Sequence, residues 1–520
     1  MRYKTIPSEL FTKNRARFWE KMANNSIAIF NSNDLMPKNA DQLMPFVQNS
    51  DLFYLSGIDQ EETVLIIIKS CQEIEEMLFI RKTSDLIRVW EGNKLTKEQA
   101  KKISGIKKIY WESDFEKMLP TIINDKKHIY LNSNDHPRAT IVVETRDARF
   151  KKWIKQKYPN YIYKKSSHLL SGLRAVKQKE EVDLIQTSCN ITKKGVDRVL
   201  KKLKPGIYEY ELGAEILHEF LMNKASGFAY EPIIASGENA CILHYCANNE
   251  QCKDGDLVLM DFGAEYGNYA SDLTRCFPVN GRFSKRQRAV YNSVLKVMNG
   301  AKKLLKPGVF LHEYEKAVGA LMEKELVDLG LISVKEINKL KNTQHPAYKK
   351  YYMHGTSHHL GLDVHDVSEP NKPLKEGMIL TCEPGIYIPE ENLGIRLEND
   401  ILIILKHANS KNIGQVGAAQ TFIDVDSTIG FPDKGALTFV YQNGTVGVCT
   451  YTNTNITQFL GISTTGITTT IKDATTIRQN AYVYALGQAN STAGVTTDGI
   501  RCRITGVLND IELPNTYYQR

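Results

Sequence analysis

Two stretches of this sequence echo each other. KKLKPG at 201–206 closes a lysine-rich amphipathic run and precedes a second run, YEYELGAEILHEFLMNKA. KKLLKPG at 302–308 does the same before LHEYEKAVGALMEKELVDLG. Proline has no backbone N–H and glycine accepts a left-handed backbone, so Pro-Gly stops a helix. Helix, stop, helix and then strand-like runs, met twice about 100 residues apart, predict two related half-domains with a site between them.

The flanks of this repeat have different textures. A chain of 520 residues exceeds one ordinary core and predicts two or three domains. Residues 1–172 alternate strand-like runs (SIAIF, ETVLIII, EEMLFI, KHIYLN) with charged helical stretches such as 94–104, the pattern of an α/β domain. The repeat occupies 173–413. From 414 to 520 the density of charge halves, Thr, Asn and Gly dominate, and short β-branched runs sit between turn residues, which predicts an all-β module.

Composition narrows the function. Charged residues make up 24% and the net charge is +8, spread along helices with acids interleaved. That is a solvated surface, and nucleic acid is not an expected partner. VLIIIK (64–69) and ILIIL (401–405) have the length of strands and fall short of a membrane span, so no membrane partner is expected. The N-terminus has no apolar core of a secretory signal. Nine scattered cysteines without a CxxC read as reduced thiols of a cytoplasmic protein.

Three segments carry the chemistry. In VLMDFGAEYGNYASDLTRCFPV (258–279), Asp261 ends an apolar run and Asp272 follows after a Gly-rich turn. A hairpin could bring the two carboxylates together, where they would need a cation or a shared proton; as separate loop aspartates they would do nothing. In ILTCEPGIYI (379–388) Glu383 ends another apolar run, and in GIRLENDILIIL (394–405) Arg396, Glu398 and Asp400 share one parity of an extended strand. That strand could equally be an exposed, alternating one. YYMHGTSHHLGLDVHDV (351–367) holds His354, His358, His359 and His365, four of twelve histidines. On helix or strand His354 and His358 point to one side and His359 points away. An HExxH zinc helix would need Glu where Gly355 stands, which excludes that mechanism. Taken together, four carboxylates and one or more histidines at strand ends favour a pair of Mn²⁺, Co²⁺ or Zn²⁺ ions over a structural zinc, which would use cysteine.

In this order, D-x10-D, MHGTSHHLGLDVHD, EPG and GIRLEND resemble the metallopeptidases of the pita-bread fold, with aminopeptidase P, the Xaa-Pro aminopeptidase, the nearest likeness. NADQLMPFVQNSDLFYLSGI (39–58) resembles that family's N-terminal domain, so the likeness spans residues 1 to about 413. The fold class it implies is α+β: an α/β N-terminal domain, a pita-bread catalytic domain with two pseudo-symmetric halves, and the appended, mostly-β C-terminal module, which resembles phage tail modules. The resemblance implies that Asp261, Asp272, His358, Glu383 and Glu398 ligate two divalent metals, usually Mn²⁺, with Asp272 and Glu398 bridging. A hydroxide between the metals would attack the carbonyl before proline, and Glu383 would handle its proton. His354 would protonate the leaving nitrogen, His365 would bind the substrate and the tetrahedral intermediate, and His244 would line the pocket. Arg396 would support the carboxylate ligands from behind, and Asp41 would reach a neighbour's active site in a tetramer. His359 departs from the pattern, standing where a bulky apolar residue would be less surprising, and is expected to be a pocket wall or to support a ligand from behind, not to be a further ligand. A homo-oligomer, dimer or tetramer, is implied, with peptides beginning Xaa-Pro as substrates. Two further readings keep the fold: a prolidase restricted to dipeptides, and a non-catalytic binding protein.

Overall fold

The structure, a computed structural model, describes residues 3–404 except 72, 140, 141 and 342, and beyond them seven short strands between 409 and 479. The alternating N-terminal runs form one mixed sheet of six strands. In spatial order they are Lys108–Trp111, Ile74–Ile80, Val64–Lys69, Ser26–Asn31, His128–Leu131 and Ile162–Lys165. The central pairs Ser26–Asn31 with Val64–Lys69 and Val64–Lys69 with Ile74–Ile80 are antiparallel, and the outer pairs are parallel. Successive residues point to opposite faces: Ala28, Phe30, Leu65 and Ile67 enter one apolar core, and Ile27, Ile29, Ile66 and Ile68 enter another. Helices cover both faces, so these strands read as continuous apolar runs. The charged stretch at 94–104 becomes the helix Lys97–Ser104, whose start is set by a Thr96–Gln99 capping box.

The echo in the sequence is an echo in the fold. Helices Lys179–Leu200 and Glu209–Met222 pack as one pair, and Lys285–Leu304 and Leu311–Asp328 as another. Between the members of each pair the Pro-Gly stop acts as expected, with Gly206 and Gly308 at φ of 91° and 88°, where a side chain would be strained. Strands Ile233–Ser236, Leu257–Asp261 and Thr274–Pro278 form an antiparallel sheet buried on both faces. Val258 and Met260 pack toward the first helix pair, and Leu257 and Leu259 join the core of the second.

One element departs from expectation. The run 394–405 is not one strand but two, Leu393–Arg396 and Asn399–Leu402. The backbone N–H of Glu398 leaves the hairpin to donate to the Thr274 carbonyl at 3.2 Å, which interrupts the ladder there. Among the described residues no helix is long and apolar enough to cross a membrane. Of the expected β module at 414–520, the described residues are all strand, such as Gly435–Val440 paired antiparallel with Val446–Tyr451; the rest of that module lies outside the described residues.

Candidate metal centre

The site forms where strand ends of the two halves meet. After the strand Leu257–Asp261 the chain doubles back so tightly that a β-carbon on Gly263 would lie 1.6 Å from the Ser271 carbonyl oxygen. This crossing returns Asp272 to Asp261, and the Tyr230 hydroxyl lies within hydrogen-bond reach of both carboxylates.

The second half contributes a broken hairpin. Ile379–Cys382 pairs with Asn399–Leu402, and Gly385–Ile388 with Leu393–Arg396. Both arms break at the same level, at Glu383-Pro384 and at Leu397-Glu398. Proline cannot donate to a ladder, although the Pro384 carbonyl still accepts from Leu397 N at 3.2 Å. The histidine segment runs beside this hairpin, because the His358 carbonyl accepts from Thr381 N and the Thr356 carbonyl from Glu383 N, each at 2.9 Å.

The result is one buried cluster. Oxygens of Asp272 and Glu398 and a ring nitrogen of His358 all lie within 4.8 Å of one another. His358 Nε2 is 3.5 Å from Asp272 Oδ2 and 3.6 Å from Glu383 Oε1. His354 Nδ1 is 3.7 Å from the other oxygen of Glu383. Arg396 anchors the far side: it donates to Asp261, to Thr274 Oγ1 at 3.1 Å and to the Tyr387 hydroxyl at 2.7 Å. Glu398 accepts from Thr274 Oγ1 at 2.6 Å. Arg396, Glu398 and Asp400 are 4%, 2% and 0% exposed, so the reading of 394–405 as an exposed strand falls.

The electrostatics of the cluster favour a cation among its acids. Burial, then the charges of Asp272, Glu383 and Asp261, push Glu398 well above the carboxylate range. Burial and Asp261 raise Asp272 against the pull of His358. Glu383 rises to about 7, through burial first, with His358 drawing it down and Asp272 lifting it. Burial works against charge on His358, yet its bond to Asp272 and the charge of Glu383 lift it to about 9. Acids this close hold protons unless a cation sits among them, and a divalent ion reverses that preference. The imidazole is already oriented for one. His358 Nδ1 donates to the His359 carbonyl at 3.0 Å, so Nε2 is the nitrogen that faces the carboxylates, and a cation that displaces its proton finds the lone pair aimed at it. The donor set therefore fits divalent metal.

The other histidines divide. The Nδ1 of His354 donates to the Gly355 carbonyl and its Nε2 accepts from the Tyr387 hydroxyl, each at 2.7 Å. Burial and Arg396 hold it down at about 3. The rings of His365 and His358 meet edge to face at 4.3 Å. Burial, then His358, Arg138, His136 and His244, hold His365 at about 3. His244 stands exposed in the loop after Gly237–Cys241, on the His365 side. His359 turns away toward Lys177 and Asp366. Asp41 is exposed at the tip of the small hairpin Pro37–Asn39 to Gln42–Leu43, and the described contacts do not bring it to the cluster.

Tyr230 and Tyr387 are contributors that the sequence did not single out. Tyr230 lies 31 residues before Asp261 and no local pattern marks it. Tyr387 could have been suspected, since it follows EPG on a strand facing the site. Asp400 shares the parity of Glu398, and its Oδ2 accepts from the Asp272 backbone N–H at 3.1 Å, which fixes where Asp272 begins.

A fold of two echoing halves closed on a buried carboxylate–imidazole cluster is that of a metal-dependent peptidase, and comparison with known proteins agrees. Residues 183–404 match metallopeptidase family M24 and residues 11–130 match the aminopeptidase P N-terminal domain. The Xaa-Pro aminopeptidase of Haemophilus influenzae is 34% identical over 435 residues, covering 80% of this chain and 98% of that protein. That of Escherichia coli is 34% identical over 413 residues, 76% and 93% of the two chains. Among solved structures, proline aminopeptidase P II from Yersinia pestis superposes with a TM-score of 0.69 at 34% identity, covering 76% of this chain and 94% of that one. Escherichia coli aminopeptidase P with the inhibitor Pro-Leu gives 0.69 at 32%, covering 77% and 94%. The chain belongs to metallopeptidase family M24 and carries the N-terminal domain of aminopeptidase P.

Proposed function

We propose that this protein is an Xaa-Pro aminopeptidase, which releases the first residue of peptides with proline in second position. The observation that carries this reading is the buried cluster of acids around His358 Nε2, on a chain whose relatives are named for that activity. Asp261, Asp272, His358, Glu383 and Glu398 would hold two divalent ions, Mn²⁺ in our reading. When bound, such ions supply an activated water and positive charge for the developing oxyanion.

The chain's own groups do the rest. A tertiary amide before proline has no N–H, so its nitrogen must receive a proton to leave. Glu383 takes the proton of the attacking water. In one concerted relay His354 Nδ1–H, 3.7 Å from Glu383 Oε2, gives its proton to the departing proline nitrogen and recovers the one that Glu383 took from water. Its Nε2 bond to Tyr387 keeps the ring aimed. His365 and His244 face the substrate beyond the scissile bond, and Arg396 holds Asp261 in place. Residues 1–172 would limit access to a catalytic domain at 173–413, with 414–520 a separate module. Free thiols among the described residues fit a cytoplasmic protein, which we take to be a homo-oligomer.

The test is hydrolysis of the tripeptide Gly-Pro-Ala against the dipeptide Gly-Pro. Release of glycine from the tripeptide is expected. Cleavage of the dipeptide alone makes the protein a prolidase, and cleavage of neither makes it a binding protein.

A further inference from the structure

The turn after strand His128–Leu131 sends one cation to the mouth of the site. Asn134 Oδ1 accepts from His136 N at 3.1 Å and His136 Nδ1 from Arg138 N at 3.2 Å. These bonds tie the backbone of the turn on either side of Pro137. From it Arg138 Nη1 donates to His365 Nε2 at 3.0 Å. His365 in turn packs against His358, so the guanidinium stands one imidazole away from the metal centre.

Among the described residues that guanidinium has no acid of its own. The nearby carboxylates Asp363 and Asp366 are taken by Arg174, at 2.7 and 2.6 Å, and Asp366 also by Lys177 at 2.9 Å. Among the described residues Arg138 has no carboxylate partner. An arginine carries five N–H donors in a planar fork, and the bond to His365 uses one. The donors that remain match a carboxylate in geometry and charge.

We propose that Arg138 is a specificity residue, which binds the free C-terminal carboxylate of a short Xaa-Pro peptide lying in the site. The span supports this. Each extended residue advances about 3.3–3.6 Å, and the path from the cluster crosses a ring-to-ring step of 4.3 Å and then a bond of 3.0 Å. One or two residues past the scissile carbonyl bring a chain terminus to the fork. His365 holds the guanidinium in place until that terminus arrives. The inference rests on the Xaa-Pro aminopeptidase reading and deepens it, since it selects short peptides with a free acid end.

The test compares Gly-Pro-Ala with the same tripeptide as its C-terminal amide, on the full chain with Mn²⁺. Arg138 is exposed, so the acid should be favoured by a lower KM, about twofold to fivefold, at similar kcat. Arg138→Gln should abolish the acid's advantage, bringing the KM values of acid and amide together. Arg138→Lys should restore part of the preference. Equal KM for acid and amide in the unaltered protein overturns the proposal and leaves the aminopeptidase reading standing. So does an equal loss on both substrates in Arg138→Gln, which would make Arg138 only a support for His365. Failure of the unaltered protein to cleave either tripeptide overturns both readings.

Discussion

The crossing at Gly263 sets the spacing of Asp261 and Asp272, and Gly263→Ala tests it. The added methyl would start 1.6 Å from the Ser271 carbonyl oxygen, whereas a carbon and a carbonyl oxygen approach to about 3.3 Å. The two arms must therefore separate by roughly 1.7 Å. That opening stretches the Phe262 N to Leu273 O bond of 3.0 Å and the Ser271 N to Ala264 O bond of 3.1 Å beyond bonding range. Overpacking at about 1–3 kcal/mol, plus about 1 kcal/mol for each lost bond, totals about 3–5 kcal/mol. The thermal midpoint should fall by on the order of 10 °C. Displacing a ligand by more than an ångström should cost about 100-fold in kcat/KM. Thermal scans by circular dichroism, with Gly-Pro-Ala hydrolysis on the soluble protein, read both effects. Gly213→Ala is the control: it lies within a helix, and its nearest outside atom is a flexible Ile234 methyl at 3.3 Å. A Gly263→Ala protein with normal midpoint and turnover would refute the claim that this crossing positions the two aspartates.

The remaining expectations concern the metal centre and the ion pairs around it. Glu383→Gln should keep its fold and part of its bound metal while kcat drops by about 10²- to 10⁴-fold; elemental analysis beside a peptidase assay checks this, and normal turnover removes Glu383 from proton handling. A chelator should abolish activity and lower the thermal midpoint, with Mn²⁺ restoring both, because the buried carboxylates lose their counter-charge. Arg174 is 3% exposed and joins Asp51, Asp363 and Asp366; Arg174→Met should destabilise by about 3–5 kcal/mol in urea titrations, since it leaves buried acid uncompensated. Asp366 is held below the usual carboxylate range: burial opposes its charge, but Lys177 and Arg174 outweigh it. Its contribution is therefore complete above an unfolded pKa of about 4 and lost as pH falls through the lower folded value. Thermal midpoints of Asp366→Asn should accordingly lie below the unaltered protein's at pH 6, and the gap should close only in strong acid.

Much was legible because it is local. The Pro-Gly stops needed only the backbone chemistry of two residues. The N-terminal strands showed themselves by length and branching, and both cores then used alternate residues of each. The acids at the ends of apolar runs were visible as anomalies, because a charge beside a buried strand is costly without a partner. His354 and His358 could be placed on one side by parity, as their contacts with the two oxygens of Glu383 show. Whether Arg396, Glu398 and Asp400 were buried could not be read, because alternation describes an exposed strand equally well.

By itself, then, the sequence determined the elements, the two-fold echo and the residue types able to hold a divalent ion. Only the tertiary structure decided which of them meet. Tyr230 between two aspartates, Tyr387 between Arg396 and His354, and Arg138 on His365 are contacts from separate elements, the last across 227 residues. Such contacts depend on how sheets and helices pack, and packing is a property of the whole chain. The ring orientations that ready His358 for metal and His354 for a proton are likewise set by carbonyls and hydroxyls that only the folded chain brings within 3 Å.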